Sequence, residues 1–462
     1  MRKLKHLIFG FLFIIVCGSL LTVQAQRGKY QANQSVILEG IVRIVIAEND
    51  KGTKQYILDT GKQLFALALE KENLLNARVS VTGRLNAENI VIPEKIKVLD
   101  AAKAVSNIPV AGSRKVLALL LNFQNNTAQP VSAAEVKSKI FTDVKSPNQY
   151  YQQVSGNRLR LSGIQSPEGD VAGYFTLPFT NEGCNIYEWT PAADQLAADS
   201  GININLYQSV IYLFAGNNPN CVGASASLGV IGDQTMTNRV FFRGALTDFY
   251  WENFQYYITH EIGHNLGLYH VNGYNNCPQI VPLESCTDFV EQADRSDVMG
   301  YFGYHLLSNF HRLQLGWLPG QVKVFDAPGV YYVNLHSPSH PSKQTTMAQI
   351  RIKDAQGNLT AQSFYLEYRR NLPPFDIFQS GEFPNPPLQL ADKGVTIRLA
   401  GTNNPLALSR YYIIDTTPLT NDFGDAALPP SGTYTNTYYG VSITTISVNP
   451  FFGARVKIQL TR

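Results

Sequence analysis

The chain has 462 residues, of which 44% are hydrophobic and 16% are charged. This composition excludes a disordered protein, and the length predicts two or three domains. Three of the 38 basic residues lie in the predicted leader described next, which leaves 35 basic residues against 35 acidic ones. A balanced chain gives no electrostatic reason to expect a nucleic-acid partner or an anionic membrane.

Residues 1–25 have the features of a secretory signal peptide. Basic residues precede an apolar run over residues 7–21, and Val23-Gln24-Ala25 supplies small residues for cleavage. The run is short for a membrane span, so we expect export with cleavage rather than an anchor, and no stable membrane insertion afterwards. The protein is therefore predicted to be secreted.

Four cysteines follow this leader, and an even number in an exported chain predicts two disulfides. Four cysteines allow three pairings. The simplest one joins Cys184 to Cys221 and Cys277 to Cys286, and the other two pairings stay open.

Residues 26–105 predict a small β-domain, because short β-branched runs alternate with turn signals. An OB-like barrel fits such a pattern. Residues 106–113 are expected to be a linker. Whether the domain is a removable inhibitory pro-segment or a permanent accessory domain stays open, although Arg114-Lys115 after the linker slightly favours removal.

Residues 114–320 predict a domain of buried strands and helices. Continuous apolar runs at 116–121 and 209–214 are typical of strands buried on both faces. A long helix is expected over 247–266, with Thr247 or Asp248 as its N-cap.

Residues 321–462 change to short alternating stretches separated by Pro and Gly clusters, which predicts an antiparallel β-sandwich. The chain as a whole is thus expected to be α+β, with a helix-containing domain between two β-domains.

The segment over residues 260–270 carries the most specific signal in the chain. His260 and His264 are four residues apart, so on a helix both imidazoles lie on one face and reach one ion. Gly267 allows the chain to leave the helix and turn back, so that His270 supplies a third ligand. Three protein ligands predict a catalytic Zn²⁺ site.

Glu261 follows the first histidine and is the candidate general base. Zinc lowers the pKa of a bound water toward about 7 and polarises a carbonyl group. A neighbouring carboxylate then accepts the water proton and returns it to the leaving amine. A Ser or Cys nucleophile is therefore not needed. A zinc site without catalysis is the alternative, and the presence of Glu261 argues against it.

The eleven residues 260–270 resemble the signature of the metzincin zinc metallopeptidases. Metzincins carry a methionine turn beneath the metal, and Met299 in the stretch Val298-Met299-Gly300 matches it. This resemblance implies a metzincin-type catalytic domain. Some metzincins block zinc with a pro-region cysteine, but residues 26–183 contain none.

Within the metzincins, the resemblance is greatest to the gametolysin family. It rests on the zinc motif, the methionine turn, the residues 309–317 that end in Leu-Gly-Trp, and the stretches 116–123 and 363–369. This resemblance implies an extracellular endopeptidase that acts on matrix or cell-wall proteins.

Tyr301 lies two residues after Met299. In astacin-like and serralysin-like metzincins a tyrosine at this offset reaches the zinc. Tyr301 is therefore a candidate for stabilising the oxyanion, and a packed or exposed tyrosine is the alternative.

Two other functions stay open beside a monomeric endopeptidase acting on proteins or peptides. One is an extracellular binding or adhesion protein on a metallopeptidase scaffold, which would not need Glu261. The other is a zinc amidase for small or cell-wall amides.

Overall fold

A computed structural model of the protein describes residues 33–47, 54–69, 71–86, 90–101, 110–216, 218, 221, 223–233, 235–244, 246, 249–277, 285–301, 303–318, 320–338, 343–378, 388, 390–401, 411–417 and 423–462. The predicted leader and the candidate N-caps Thr247 and Asp248 lie outside these residues.

The strands are β1 Ser35–Ala47, β2 Lys54–Asp59, β3 Leu64–Leu67, β4 Arg78–Leu85, β5 Ile90–Asp100, β6 Gly112–Phe123, β7 Leu159–Ser162, β8 Asp170–Leu177, β9 Ser209–Ala215, β10 Gly223–Ser227, β11 Asn238–Gly244, β12 Val271–Asn276, β13 Thr287–Val290, β14 Gln321–Phe325, β15 Gly329–Leu335, β16 Thr345–Lys353, β17 Leu359–Glu367, β18 Thr396–Ala400, β19 Tyr411–Ile413, β20 Thr433–Asn436, β21 Val441–Asn449 and β22 Gly453–Leu460. The α-helices are α1 Ala133–Lys137, α2 Pro147–Ser155, α3 Ile186–Asp199, α4 Phe249–Glu252, α5 Phe254–Asn265 and α6 Asn309–Gln314. A π-helix, Ser138–Thr142, continues α1, and short 3-10 turns lie at Glu72–Leu74, Ile204–Leu206 and Phe423–Asp425.

The first five strands form a closed cycle of pairings. Strand β1 pairs with both β2 and β4, β3 pairs with both β2 and β5, and β4 pairs with β5. Alternate residues of β4 point inward, so Val79 and Val81 are fully buried in the same core as Val42 and Leu58. These alternating residues give the segment a core of its own.

The cycle continues into the sheet of the next domain. Residues 45–47 of β1 pair antiparallel with residues 225–227 of β10. The order then runs β10, β11, β9, β6 and β7, in which only the β10–β11 pair is antiparallel. Strand β8 also pairs with β6, in parallel.

Strand β6 is buried on both faces, as its apolar run predicts. Val116, Ala118 and Leu120 face one core, whereas Leu117 and Leu119 face another. The strand begins at Gly112, inside the range expected to be a linker.

The single helix expected over 247–266 is wrong in one respect, because the chain forms α4 and α5 with a break at Asn253. This residue has φ −100° and ψ 13°, outside the helical region. Asparagine favours such conformations because its side chain competes for backbone hydrogen bonds. The break lets Trp251 and Phe254 pack with their ring centroids 4.8 Å apart.

The C-terminal part contains two sheets that share one core. The larger has the order β13, β12, β19, β18, β17, β16 and β14, and the smaller has the order β15, β22, β21 and β20. Ile350 and Phe364 of the larger sheet belong to the same buried cluster as Ile443 and Ile458 of the smaller one. Two sheets thus enclose this core between them.

The expectation of a fully antiparallel sandwich confined to 321–462 is wrong for the larger sheet. Strands β14 and β16 are parallel, and so are β12 and β19. Strands β12 and β13 precede residue 321, so the sheet recruits chain that follows the zinc motif directly. Alternation within one strand predicts a half-buried strand, but it does not identify the neighbouring strand.

Two disulfides form, Cys184–Cys221 and Cys277–Cys286. They are the pairs that sequence spacing favoured. The second closes the chain between β12 and β13, which places the return strand beside the zinc motif.

Charged residues lie between strands β1 and β2 of this cycle and strand β11 of the sheet that continues from it. The Asp59 carboxylate is 3.8 Å from the Arg43 guanidinium and 3.9 Å from that of Arg239. Arg239 also contacts Asp194 at 2.8 Å. Burial lowers the pKa of Arg43 to about 10, and Asp59 opposes this shift. Asp59 therefore joins a cation on β1 to one on β11.

Asp59→Asn should lower the free energy of unfolding by about 2 kcal/mol, because hydrogen bonds and contacts to largely buried charges are worth about 1.5–3 kcal/mol. Urea unfolding measures the change. Glu94→Gln is the matched control, because its pair with Arg84 is more than half exposed and should be worth less than about 1 kcal/mol. Equal effects of the two substitutions would contradict a role for Asp59 at the interface.

Candidate metal centre

Three histidines meet in one buried place. His260 and His264 lie one turn apart on α5, and Gly267, with φ 95°, ends the helix so that His270 returns to it. The Nε2 atoms of His260 and His264 are 3.2 Å apart, and those of His264 and His270 are 3.0 Å apart. The structure thus brings together the three residues that the sequence predicts as metal ligands.

In each histidine the second ring nitrogen, Nδ1, makes a hydrogen bond that determines which of the two nitrogens carries the proton. Carbonyl and carboxylate oxygens only accept hydrogen bonds, so each Nδ1 donates and each Nε2 keeps its lone pair. The acceptors are Val298 O at 2.6 Å from His260, Leu268 O at 2.7 Å from His264, and Glu291 Oε1 at 2.6 Å from His270.

Three converging lone pairs repel one another unless a cation lies between them. Tetrahedral zinc with Zn–N bonds of 2.0–2.1 Å requires nitrogens about 3.3 Å apart, close to the separations found here. Oxygen acceptors behind the ring are also the usual partners of histidines that bind metals. The donor set therefore fits zinc, and His260, His264 and His270 would hold it.

Glu261 is fully buried on α5, directly after His260. Its position on the same helix as two of the three histidines is fixed by the helix itself. Both of its carboxylate oxygens are shielded from solvent.

Met299 is fully buried beneath the helix. A Cβ atom added to Gly263 would lie 2.4 Å from the Met299 sulfur, so the methionine packs directly against the helix between the two histidines. Sequence reasoning overlooked Gly263, whose lack of a side chain permits this contact. The carbonyl of Val298, one residue earlier, is the acceptor for His260.

The side chain of Tyr301 is 48% exposed, whereas the three histidines are buried. Its backbone N–H donates to Gln292 O at 2.8 Å. The approach of its hydroxyl to the metal stays a prediction.

A buried ion network supports the turn that carries Met299. Arg398 of β18 contacts Asp294 at 2.6 Å and also Glu367 of β17. Its Nη2 atom donates to Ser296 Oγ at 3.1 Å. Because one guanidinium links two strands to the turn, the C-terminal sheet holds the residues just before Met299.

Asp297 lies at the centre of the same network. Burial would raise the pKa of its carboxyl group, but the charge and hydrogen bond of His311, with N–H groups of Met299 and Ser308, hold that pKa well below its usual range. The His311 Nδ1 atom is 2.9 Å from Asp297 Oδ2, and the hydroxyl of Tyr411 donates to the same oxygen at 3.0 Å. Asp297 is thus kept charged and immobile.

Sequence reasoning missed Glu291, Asp294, Asp297 and Arg398. The only signal for Arg398 was a charge between apolar neighbours in the stretch 396–399. Charged residues are seldom fully buried without a partner, so such a charge indicates a buried pair. Nothing in the sequence identifies the partner.

Arg398→Met should weaken zinc binding by about tenfold, the lower end of what loss of an outer-shell partner costs. It should also lower the stability of the fold by about 3–5 kcal/mol, because it leaves buried carboxylates uncompensated. Chelator competition and thermal unfolding measure the two effects. Arg351→Met, on β16 of the same sheet and about one-third exposed, should change neither, and similar losses in both variants would contradict a specific role for Arg398.

A sequence model of the family described as "Metallo-peptidase family M12B Reprolysin-like" matches residues 114–311. A search of curated proteins finds no significant match. Among solved structures, one titled "Structure of a chaperone-substrate complex" is similar at 15% identity and a TM-score of 0.21, over 47% of this chain and 28% of that one. The chain thus spans about a quarter of that structure's length.

Within the described part of the chain, every helix is too short or too polar to cross a bilayer.

Proposed function

Because residues 114–311 match the reprolysin-like metallopeptidases and contain the three-histidine cluster, we propose that the protein is a secreted metzincin-type zinc endopeptidase with Glu261 as its general base. Its substrates are the peptide bonds of extracellular, matrix or cell-wall proteins, as the gametolysin resemblance implies. Two disulfides support an exported protein, because such bonds persist in oxidising compartments.

The convergence of the three Nε2 atoms is the observation that carries this proposal. When bound, zinc supplies a water of lowered pKa and polarises the scissile carbonyl. The Glu261 carboxylate accepts a proton from the attacking water and later gives it to the leaving amine nitrogen. Burial of Glu261 keeps this proton transfer away from bulk solvent.

An adhesion protein and a small-amide hydrolase remain the alternative functions. An adhesion protein does not need a buried carboxylate next to the metal ligands. A small-amide hydrolase needs the same centre, so only the size of the substrate separates it from an endopeptidase. Chelator-sensitive digestion of unfolded casein distinguishes an endopeptidase from both alternatives, and chelator-sensitive hydrolysis of a small amide then distinguishes the amide hydrolase from the adhesion protein.

Glu261→Gln should retain one zinc ion per chain while casein cleavage falls by about 10²-fold or more, because an amide cannot accept the proton. His264→Ala should lose the metal itself, since it removes one of three ligands. Metal analysis and peptidase assays measure both. Loss of zinc in Glu261→Gln would contradict its assignment as a base rather than a ligand.

The flanking segments are proposed as permanent parts of the enzyme. Residues 26–105 would form an OB-like barrel, 106–111 a linker, 112–320 the catalytic domain and 321–462 the main part of the C-terminal β-sandwich. Leu228, Val230 and Tyr269 of the catalytic domain belong to the core of the barrel. The Lys54 ammonium lies 5.0 Å from the ring of Tyr269. This shared core favours a retained domain over a removable pro-segment.

Cutting an inserted protease site within residues 102–109 should therefore leave the two pieces associated. Size-exclusion chromatography in native buffer should show one peak that contains both, because separation would expose apolar residues of the shared core to water. In urea the pieces should separate. Release of a free, folded barrel in native buffer, with a rise in peptidase activity, would instead identify a pro-segment.

A further inference from the structure

A glutamine that the proposed mechanism does not use contacts one member of the histidine cluster. The Gln292 side-chain Nε2 atom is 3.2 Å from the Nε2 atom of His270. The residue is 5% exposed, so its amide is kept inside the protein. The Nδ1 atom of His270 points to Glu291. Gln292 therefore contacts the opposite edge of the ring, which faces the other two histidines.

The backbone holds Gln292 in this position. Its φ is 58°, in the left-handed region that non-glycine residues seldom adopt. Its N–H donates to Asn272 Oδ1 at 3.1 Å, and its carbonyl accepts from Tyr301 N at 2.8 Å. This conformation lets two consecutive side chains, Glu291 and Gln292, reach the two nitrogens of one imidazole.

The chemistry of the amide decides what it does there. In this tautomer His270 Nε2 is an acceptor, so the amide NH₂ of Gln292 faces it in the structure. The amide oxygen and nitrogen exchange places by a half-turn about the terminal bond. A cation favours the oxygen, because the oxygen carries lone pairs and the NH₂ group does not.

The separation between Gln292 and His270 is close to the separations among the histidines. The Gln292 amide is 3.2 Å from His270 Nε2, and the two histidine pairs are separated by 3.2 Å and 3.0 Å. We propose that the Gln292 side-chain oxygen is a fourth protein ligand of the metal in the substrate-free enzyme. This inference rests on the proposed zinc centre and adds a donor to it.

A neutral amide oxygen suits a ligand that has to leave. It binds zinc more weakly than a thiolate, an imidazole or a carboxylate, which are the usual ligands. Gln292 would hold the fourth position in the resting enzyme and leave it when the substrate and the attacking water enter. Such a ligand closes the centre without the cysteine that residues 26–183 lack.

Zinc affinity and the visible spectrum of the Co²⁺-substituted protein test this assignment without any activity measurement. Gln292→Met keeps the length of the side chain and removes the oxygen. Its zinc affinity should fall by at least about tenfold, since loss of an outer-shell partner alone costs about 10–100-fold. Its cobalt spectrum should change, because one ligand is replaced. Gln292→Glu should bind zinc more tightly, because a carboxylate is a stronger ligand.

Azide, a small anion that binds open metal positions, tests the exchange of the ligand. It should bind the cobalt form of Gln292→Met more tightly than the wild-type cobalt form, in which it has to displace the amide. Gln195→Met, on the exposed surface of α3, is the matched control and should leave the zinc affinity, the spectrum and azide binding unchanged. Circular dichroism confirms that each variant folds.

Unchanged zinc affinity and cobalt spectrum in Gln292→Met, with weaker or equal zinc binding in Gln292→Glu, would overturn the assignment. That result is distinct from failure of the proposed function. If the wild-type protein itself binds no zinc, the metal centre is wrong. If it binds one zinc ion per chain and Gln292→Met matches it, only the role of Gln292 is wrong.

Discussion

Three imidazole lone pairs have to point at one place inside the protein, and much of the surrounding structure serves that requirement. Each ring is held by one oxygen acceptor behind it, and the three acceptors come from separate pieces of chain. Leu268 lies in the turn after the helix, Val298 precedes the buried methionine, and Glu291 follows β13. A helix alone positions two histidines, but it does not set their tautomers. The loop over residues 291–299 supplies two of the three acceptors.

That loop is held by charge rather than by regular structure. The guanidinium groups of Arg398, on β18, and of Arg369, just after β17, contact the loop. Asp297, within the loop, accepts hydrogen bonds from Ser308, His311 and Tyr411. Buried ions without partners are costly, so each member of the network fixes the others. This network connects the C-terminal sheet to the loop beside the three histidines. Removal of one charged group should therefore weaken the contacts of the others.

The cycle of strands β1–β5 is connected to the histidine cluster by a different route. Strand β1 pairs with β10, and Leu228 N donates to Ile44 O at 2.7 Å just beyond that pairing. Gly229, the next residue, donates to the carbonyl of His264 at 2.8 Å. Backbone hydrogen bonds thus connect the barrel to a proposed metal ligand through two residues. Hydrogen-bonded strands transmit position more rigidly than a flexible linker does.

The sequence by itself determined the features that depend on local spacing. Residues 260–270 fix the helix face, the glycine turn and the third histidine, and apolar runs such as 116–121 identify buried strands, because both signals lie within a few residues of chain. Long-range contacts were not determined in this way. Only the tertiary structure showed that Arg398 pairs with Asp294, that β12 joins the C-terminal sheet, and that Gln292 faces His270. The first two contacts join residues that are distant in the chain, and the third depends on one left-handed backbone conformation. Hydrophobic periodicity predicts neither long-range partners nor such a conformation.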